Sequence, residues 1–137
     1  MKMEIRLIEN PDDDLREAVN YQLRTHNQLS NPIYWQKTGE DKYNEEELKL
    51  FTFDEKGQVI GGLFGSTRFS WLKVDIMATQ KALRNQGIGK KLLEKAEEIA
   101  KERGCKYVYI DTMEYQAPAF YKKCGYKLVG QLDDWDS

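Results

Sequence analysis

The stretch with the clearest chemical potential is Leu83–Leu93, LRNQGIGKKLL, where Gly87 and Gly89 interrupt a run that otherwise favours a helix. The first amides of a helix have no intrahelical acceptor, and glycine lets a ligand approach them without meeting a Cβ. The helix dipole adds about 0.3–1 kcal/mol of attraction for an anion there. A phosphate suits such a place. The same glycines would equally serve a tight strand-to-helix turn with no ligand. Spacing argues against two nucleotide readings. A P-loop has a glycine five residues before the glycine of its G-K-[ST], yet Arg84 stands there and Lys91 replaces the hydroxyl residue. A Rossmann fingerprint wants a third glycine where Leu92 stands and an acidic residue ending the next strand, which Asp111 only loosely supplies.

The elements that must position this stretch are legible from periodicity. Met3–Ile8 alternates as a strand, and Pro11–Asn27 reads as a helix with Pro11 and acids in its first turn. Periodicity fails over Leu29–Glu47, which Pro32 and Gly39 punctuate, so a loop or short irregular helix is expected. Leu48–Phe69 holds two β-rich runs around DEKGQ, a hairpin signal, and Trp71–Thr79 supplies another strand. From Gly87 to Arg103, Ile88, Leu92, Leu93, Ala96, Ile99 and Ala100 recur at helical spacing, with Gly104 as the C′ residue. Lys106–Thr112 reads as a strand, Ala117–Cys124 as a short helix stopped at Gly125, and Tyr126–Leu132 as a final strand.

Bulk properties narrow the function classes. A chain of 137 residues makes one domain, expected over residues 1–137, and buries roughly two-thirds of its unfolded surface. A net charge of −2 and a pI near 5.5 disfavour general binding to nucleic acid or to a membrane surface. The start, MKMEIRLIEN, carries charges instead of an apolar signal core, and no run approaches the ~20 apolar residues of a membrane span. A cytoplasmic location is the expectation. Cys105 and Cys124 lack C-x-x-C spacing, and with His26 as the lone histidine they assemble no zinc site, so no metal is expected.

Arg84-Asn85-Gln86-Gly87-Ile88-Gly89 resembles the pyrophosphate-binding loop of the GCN5-related N-acetyltransferases (GNAT), whose pattern is [QR]-x-x-G-x-[GA]. DTMEYQAPAFYKKCGY, Asp111–Tyr126, is similar to that family's strand-to-helix segment, which ends in Gly-aromatic. The resemblance is strongest from about Trp71 to Gly130 and weakest over Leu29–Glu47, where such families vary their acceptor site. It implies an α/β (α+β) fold in which a mixed central sheet, flanked by helices, splays apart to admit the pantetheine arm of acetyl-CoA between Trp71–Thr79 and Lys106–Thr112. Backbone groups of Ile76, Met77 and Ala78 would pair with that arm, and Arg84, Asn85, Gln86, Gly87, Ile88, Gly89 and Lys90 would hold the phosphates.

The implied activity is direct acetyl transfer from acetyl-CoA to a primary amine of a small molecule or protein. An amine of pKa near 10.4 is protonated at neutral pH, and presenting its neutral form costs about 4 kcal/mol, so a base or water relay is useful. Asp75 is the strand carboxylate nearest the expected acetyl group and would serve if burial raised its pKa; an exposed strand carboxylate is an equal reading. Glu114 is a weaker candidate. Tyr121 aligns with the family tyrosine that lies near the sulfur and can protonate the departing thiolate; packing of its helix is the alternative. Ile33, Tyr34, Trp35 and Tyr43 would line an acceptor pocket or cap the core. A covalent relay through either cysteine is disfavoured by their places beside a strand start and a helix end. A non-catalytic acyl-CoA-binding or sensing module is the second function class.

After Tyr126–Leu132 the sequence runs on only as DDWDS, whereas the resemblance implies one more strand. Without it the edge of Lys106–Thr112 would expose unpaired backbone groups. The final strand of the same chain, a second molecule in a homodimer, or further sequence of a longer protein would cover it; the homodimer is the favoured expectation.

Overall fold

The computed structural model describes residues 1–40, 44–112 and 118–133 and falls into two compact units, Met1–Asn44 and Glu45–Ser137. Tyr43 and Glu114 lie outside the described residues.

Among the described residues, the first unit holds two helices. α1 spans Asp13–Ser30, and its N-cap is Asp12, whose carboxylate accepts from the Leu15 amide at 2.9 Å, an interaction worth about 1 kcal/mol. Pro11 therefore stands before the cap, two residues ahead of Asp13, where the first turn in which it was expected begins. Asn31 ends α1 by donating its N–H to the Asn27 carbonyl and caps α2, Pro32–Thr38, by accepting from the Tyr34 amide at 3.1 Å. The segment expected as loop or short helix is thus partly helical, with proline at the position where its missing donor costs nothing. Residues 3–8 form no strand, contrary to their alternation. A strand exists only through a neighbour's hydrogen bonds, and the exposed Glu4–Arg6 pair at 3.4 Å, two residues apart, supplies no substitute for them.

The second unit is a four-stranded mixed sheet in the order β1-β2-β3-β4, with β1 Glu46–Phe53, β2 Val59–Arg68, β3 Trp71–Thr79 and β4 Tyr107–Ile110. β1, β2 and β3 are antiparallel neighbours; β3 and β4 are parallel and joined by a crossover through α3, Ile88–Glu102. One face of α3 carries Leu92, Leu93, Ala96 and Ala100 onto Leu48, Leu63, Leu72 and Val74 of the sheet, and these side chains form the buried core. Each buried leucine contributes about 1.5–3 kcal/mol relative to exposure, so this stripe fixes α3 on the sheet. α3 closes as its glycine requires. Gly104 has φ +91°, its N–H donates to the Lys101 carbonyl, and the Cys105 N–H reaches back to Ala100, each at 2.9 Å.

α4, Pro118–Lys123, closes the same way, with Gly125 at φ +95° and the Tyr126 N–H donating to the Tyr121 carbonyl at 3.0 Å. Tyr126–Leu132, expected as a strand, is not one: its backbone joins no ladder, and Val129 is 92% exposed. Alternation supplies β propensity but not a partner. Among the described residues no strand follows β4, so β4 is an edge, paired on the β3 side alone.

Candidate functional site

The site begins where two strands part. β3 and β4 pair only from Trp71↔Tyr107 to Val74↔Ile110, after which β4 ends and β3 continues to Thr79. Ile76, Met77 and Ala78 remain bonded to Phe64, Leu63 and Gly62 of β2, but among the described residues their other side meets no strand. The parting coincides with a β-bulge. Phe64 faces Ile76 while Gly65 faces Val74, so Asp75 has no partner across the ladder. Gly65 is required there, because a Cβ on it would lie 2.3 Å from the Lys73 carbonyl oxygen. Bulges re-aim a strand and end pairing, which this one does at the point where β3 leaves β4.

β3 then feeds the glycine loop. Gln80 ties the turn to β2, its N–H donating to the Ile60 carbonyl at 2.9 Å and its side-chain amide to the Val59 carbonyl at 3.2 Å. One 3-10 turn, Lys81–Leu83, leads to Arg84 in extended conformation, and Asn85 and Gly87 follow at φ +69° and +79°. Gly87 is the N-cap of α3 and provides no side-chain cap, so the first-turn amides of Ile88, Gly89 and Lys90 have neither a capping side chain nor an intrahelical acceptor. No acid stands in that turn; Lys90 and Lys91 do. Lysines at a helix N-terminus oppose the dipole, an arrangement that an anion there would relieve. A Cβ on Gly87 would meet nothing within 4 Å, so the space beside this residue is open.

Gly89 faces the other way. A Cβ built on it would lie 3.0 Å from Phe120 Cζ and 3.6 Å from Met77 Cε. The second glycine therefore admits α4, whose Phe120 lies against the first turn of α3 and the end of β3. Tyr121 follows Phe120 on α4 and packs against the core of the second unit. The two rings meet at 5.4 Å, and Tyr121 meets Tyr126 edge-on at 6.1 Å. Burial, then the charge of Cys124, pushes the Tyr121 phenol above its usual value near 10. It stays protonated across the neutral range and can donate.

Asp75 is about half exposed, 3.5 Å from Lys73 Nζ. It is not buried, and solvent reaches it. Both cysteines are free, and burial raises each thiol; Cys105 Sγ points to the Phe69 carbonyl at 3.8 Å. Raised thiols are poor nucleophiles. Ile33, Tyr34 and Trp35 lie on α2 in the first unit, where Tyr34 and Trp35 meet edge-on at 5.9 Å and, with Asn27, Ser30 and Asn31, line a hollow of about 260 Å³. No described helix is long and apolar enough to cross a membrane.

Sequence reasoning missed three features: the bulge at Asp75, the seating of Phe120 on Gly89, and a 2.6 Å hydrogen bond from the Tyr126 hydroxyl to Glu97 of α3. The run GGLFG in β2 hinted at a close backbone approach; the other two involve partners 31 and 29 positions apart, counted from residue numbers, and leave no local signal.

Comparison with known proteins matches residues 15–126 to the model described as the Acetyltransferase (GNAT) family. The chain is 37% identical over 91 residues to blasticidin-S acetyltransferase of Streptomyces morookaense, covering 66% of this chain and 67% of that protein. It is 39% identical over 89 residues to acetyltransferase Atu2258 of Agrobacterium fabrum, covering 65% of each. The match thus spans about two thirds of these relatives' length. Among solved structures, an acetyltransferase from Bacillus cereus superposes with a TM-score of 0.71 at 32% identity, over 91% of this chain and 85% of that one.

Proposed function

The chain belongs to the acetyltransferase (GNAT) family, and from that premise we propose that it moves an acetyl group from acetyl-CoA, the family's donor, directly onto a primary amine. The observation that carries this reading is the single place where β3 leaves β4, the uncapped start of α3 opens, and α4 seats Phe120 against Gly89. Acetyl-CoA supplies an acyl thioester, whose carbonyl a neutral amine attacks. The amides of Gly87, Ile88, Gly89 and Lys90 would hold its phosphates, with Arg84, Asn85 and Gln86 shaping the loop. The free side of Ile76, Met77 and Ala78 would pair with its amide-bearing arm.

Tyr121 keeps its proton at neutral pH and gives it to the departing thiolate. Asp75, reached by solvent, draws the amine's proton off through water. The cysteines take no part. The acceptor in this reading is a small-molecule amine, and blasticidin S is the first probe because a relative carries that name. The protein acts in the cytoplasm, and a second copy covers the open edge of β4, giving a homodimer. A thiol-release assay with acetyl-CoA and a panel of amines, blasticidin S and spermidine included, tests the reading. Amine-dependent release supports it; CoA binding with no turnover on any amine makes the chain an acyl-CoA-binding module.

A further inference from the structure

α4 is six residues long, too short to hold its own orientation, so whatever directs Tyr121 must come from outside that helix. Two contacts with α3 do so. At one end Phe120 seats against Gly89. At the other, Tyr126 is bound three ways. Its N–H closes α4 on the Tyr121 carbonyl at 3.0 Å, its ring meets the Tyr121 ring edge-on at 6.1 Å, and its hydroxyl donates to Glu97 Oε1 at 2.6 Å. Glu97 is well placed to act as an anchor, because its neighbours Ala96 and Ala100 are buried in the core. A short hydrogen bond to a carboxylate is among the stronger protein hydrogen bonds.

We infer that Tyr126, tethered to Glu97, is a positioning residue for the acetyl transfer, setting the roll of α4 and with it the direction of the Tyr121 hydroxyl. The inference rests on the reading of Tyr121 as the proton donor. A side chain misplaced by an ångström can cost up to about 10²-fold in rate, so losing the tether matters without any lost contact to substrate.

The test compares Tyr126→Phe, Glu97→Leu and Glu97→Gln, each alone and the first also combined with Tyr121→Phe. Thiol release from acetyl-CoA with blasticidin S or spermidine is one readout, and a crystal structure of each single variant with CoA is the other. Tyr126→Phe and Glu97→Leu should each lower kcat about tenfold with KM for acetyl-CoA unchanged, and Glu97→Gln, which keeps an acceptor oxygen, should retain most of the rate. In the Tyr121→Phe background, Tyr126→Phe should cost nothing more, since the hydroxyl it directs is gone. The crystal structures should show the Tyr121 hydroxyl displaced in the first two variants and in place in the third. Wild-type kcat in Tyr126→Phe, an equal fractional loss in both backgrounds, or an unmoved Tyr121 would overturn the inference. Full rate in Tyr121→Phe alone would instead remove the proton-donor reading, and the crystal structures would still decide the tether.

Discussion

Phe120 occupies the space that a side chain on Gly89 would need, with its Cζ 3.0 Å from the position of that missing Cβ. The two glycines of the loop thus differ in purpose. Gly87 takes a left-handed backbone and leaves the amides open, whereas Gly89 makes room for the helix that carries Tyr121.

Gly89→Val is therefore expected to act on the protein before it acts on the ligand. Overpacking against Phe120 and Met77 should lower unfolding stability by about 1–3 kcal/mol and weaken CoA binding at least tenfold. Chemical denaturation beside calorimetry checks both. Lost affinity at full stability would mean that the valine clashes with the ligand alone.

Gly87→Ala should cost about 1–2 kcal/mol of stability, because φ +79° strains any residue with a Cβ, while Gly87→Asn should recover much of it. Denaturation midpoints of the two variants measure the difference. Equal stability of alanine and asparagine variants would show that the turn relaxes out of the left-handed region.

The architecture of the second unit was largely readable, and particular residues show why. β3 matches its expected span, and α3 starts and stops within a residue of expectation, because Leu72, Val74, Leu92, Leu93, Ala96 and Ala100 write their burial into the period of the chain. Gly104 and Gly125 were legible because a C′ position demands a left-handed residue. Residues 3–8 and 126–132 misled because alternation marks a chain suited to a sheet, not one that has found an edge. The bulge at Asp75 depends on Gly65 crowding Lys73 across a ladder, and the Glu97–Tyr126 bond joins two elements; neither is a property of any local window.

Tyr121→Phe keeps the ring that packs against Phe120 and Tyr126 and deletes the hydroxyl. Turnover should fall by about 10²-fold with CoA affinity unchanged if that hydroxyl protonates the thiolate. Equal turnover would return Tyr121 to a packing role.

Stability should depend on pH at the alkaline end. The phenols of Tyr121 and Tyr126 are raised above their unfolded value near 10, Tyr126 by burial first and then by its bond to Glu97. Above pH 10 the unfolded chain releases these protons more readily than the native one, so their stabilising contribution is full below that pH and lost as pH rises toward the folded values. Unfolding free energy from urea titrations should hold through neutrality and fall above pH 10, and Tyr126→Phe should make that fall shallower. A Tyr126→Phe curve parallel to wild type would contradict the assignment.

Direct transfer is tested most sharply by mass spectrometry of protein, amine and CoA after incubation with isotopically labelled acetyl-CoA. The account predicts the label on the amine in equal amount to CoA released, with the protein's mass unchanged at every time point. Label resting on Cys124 or Cys105, or CoA held with no labelled amine from any acceptor, would contradict it.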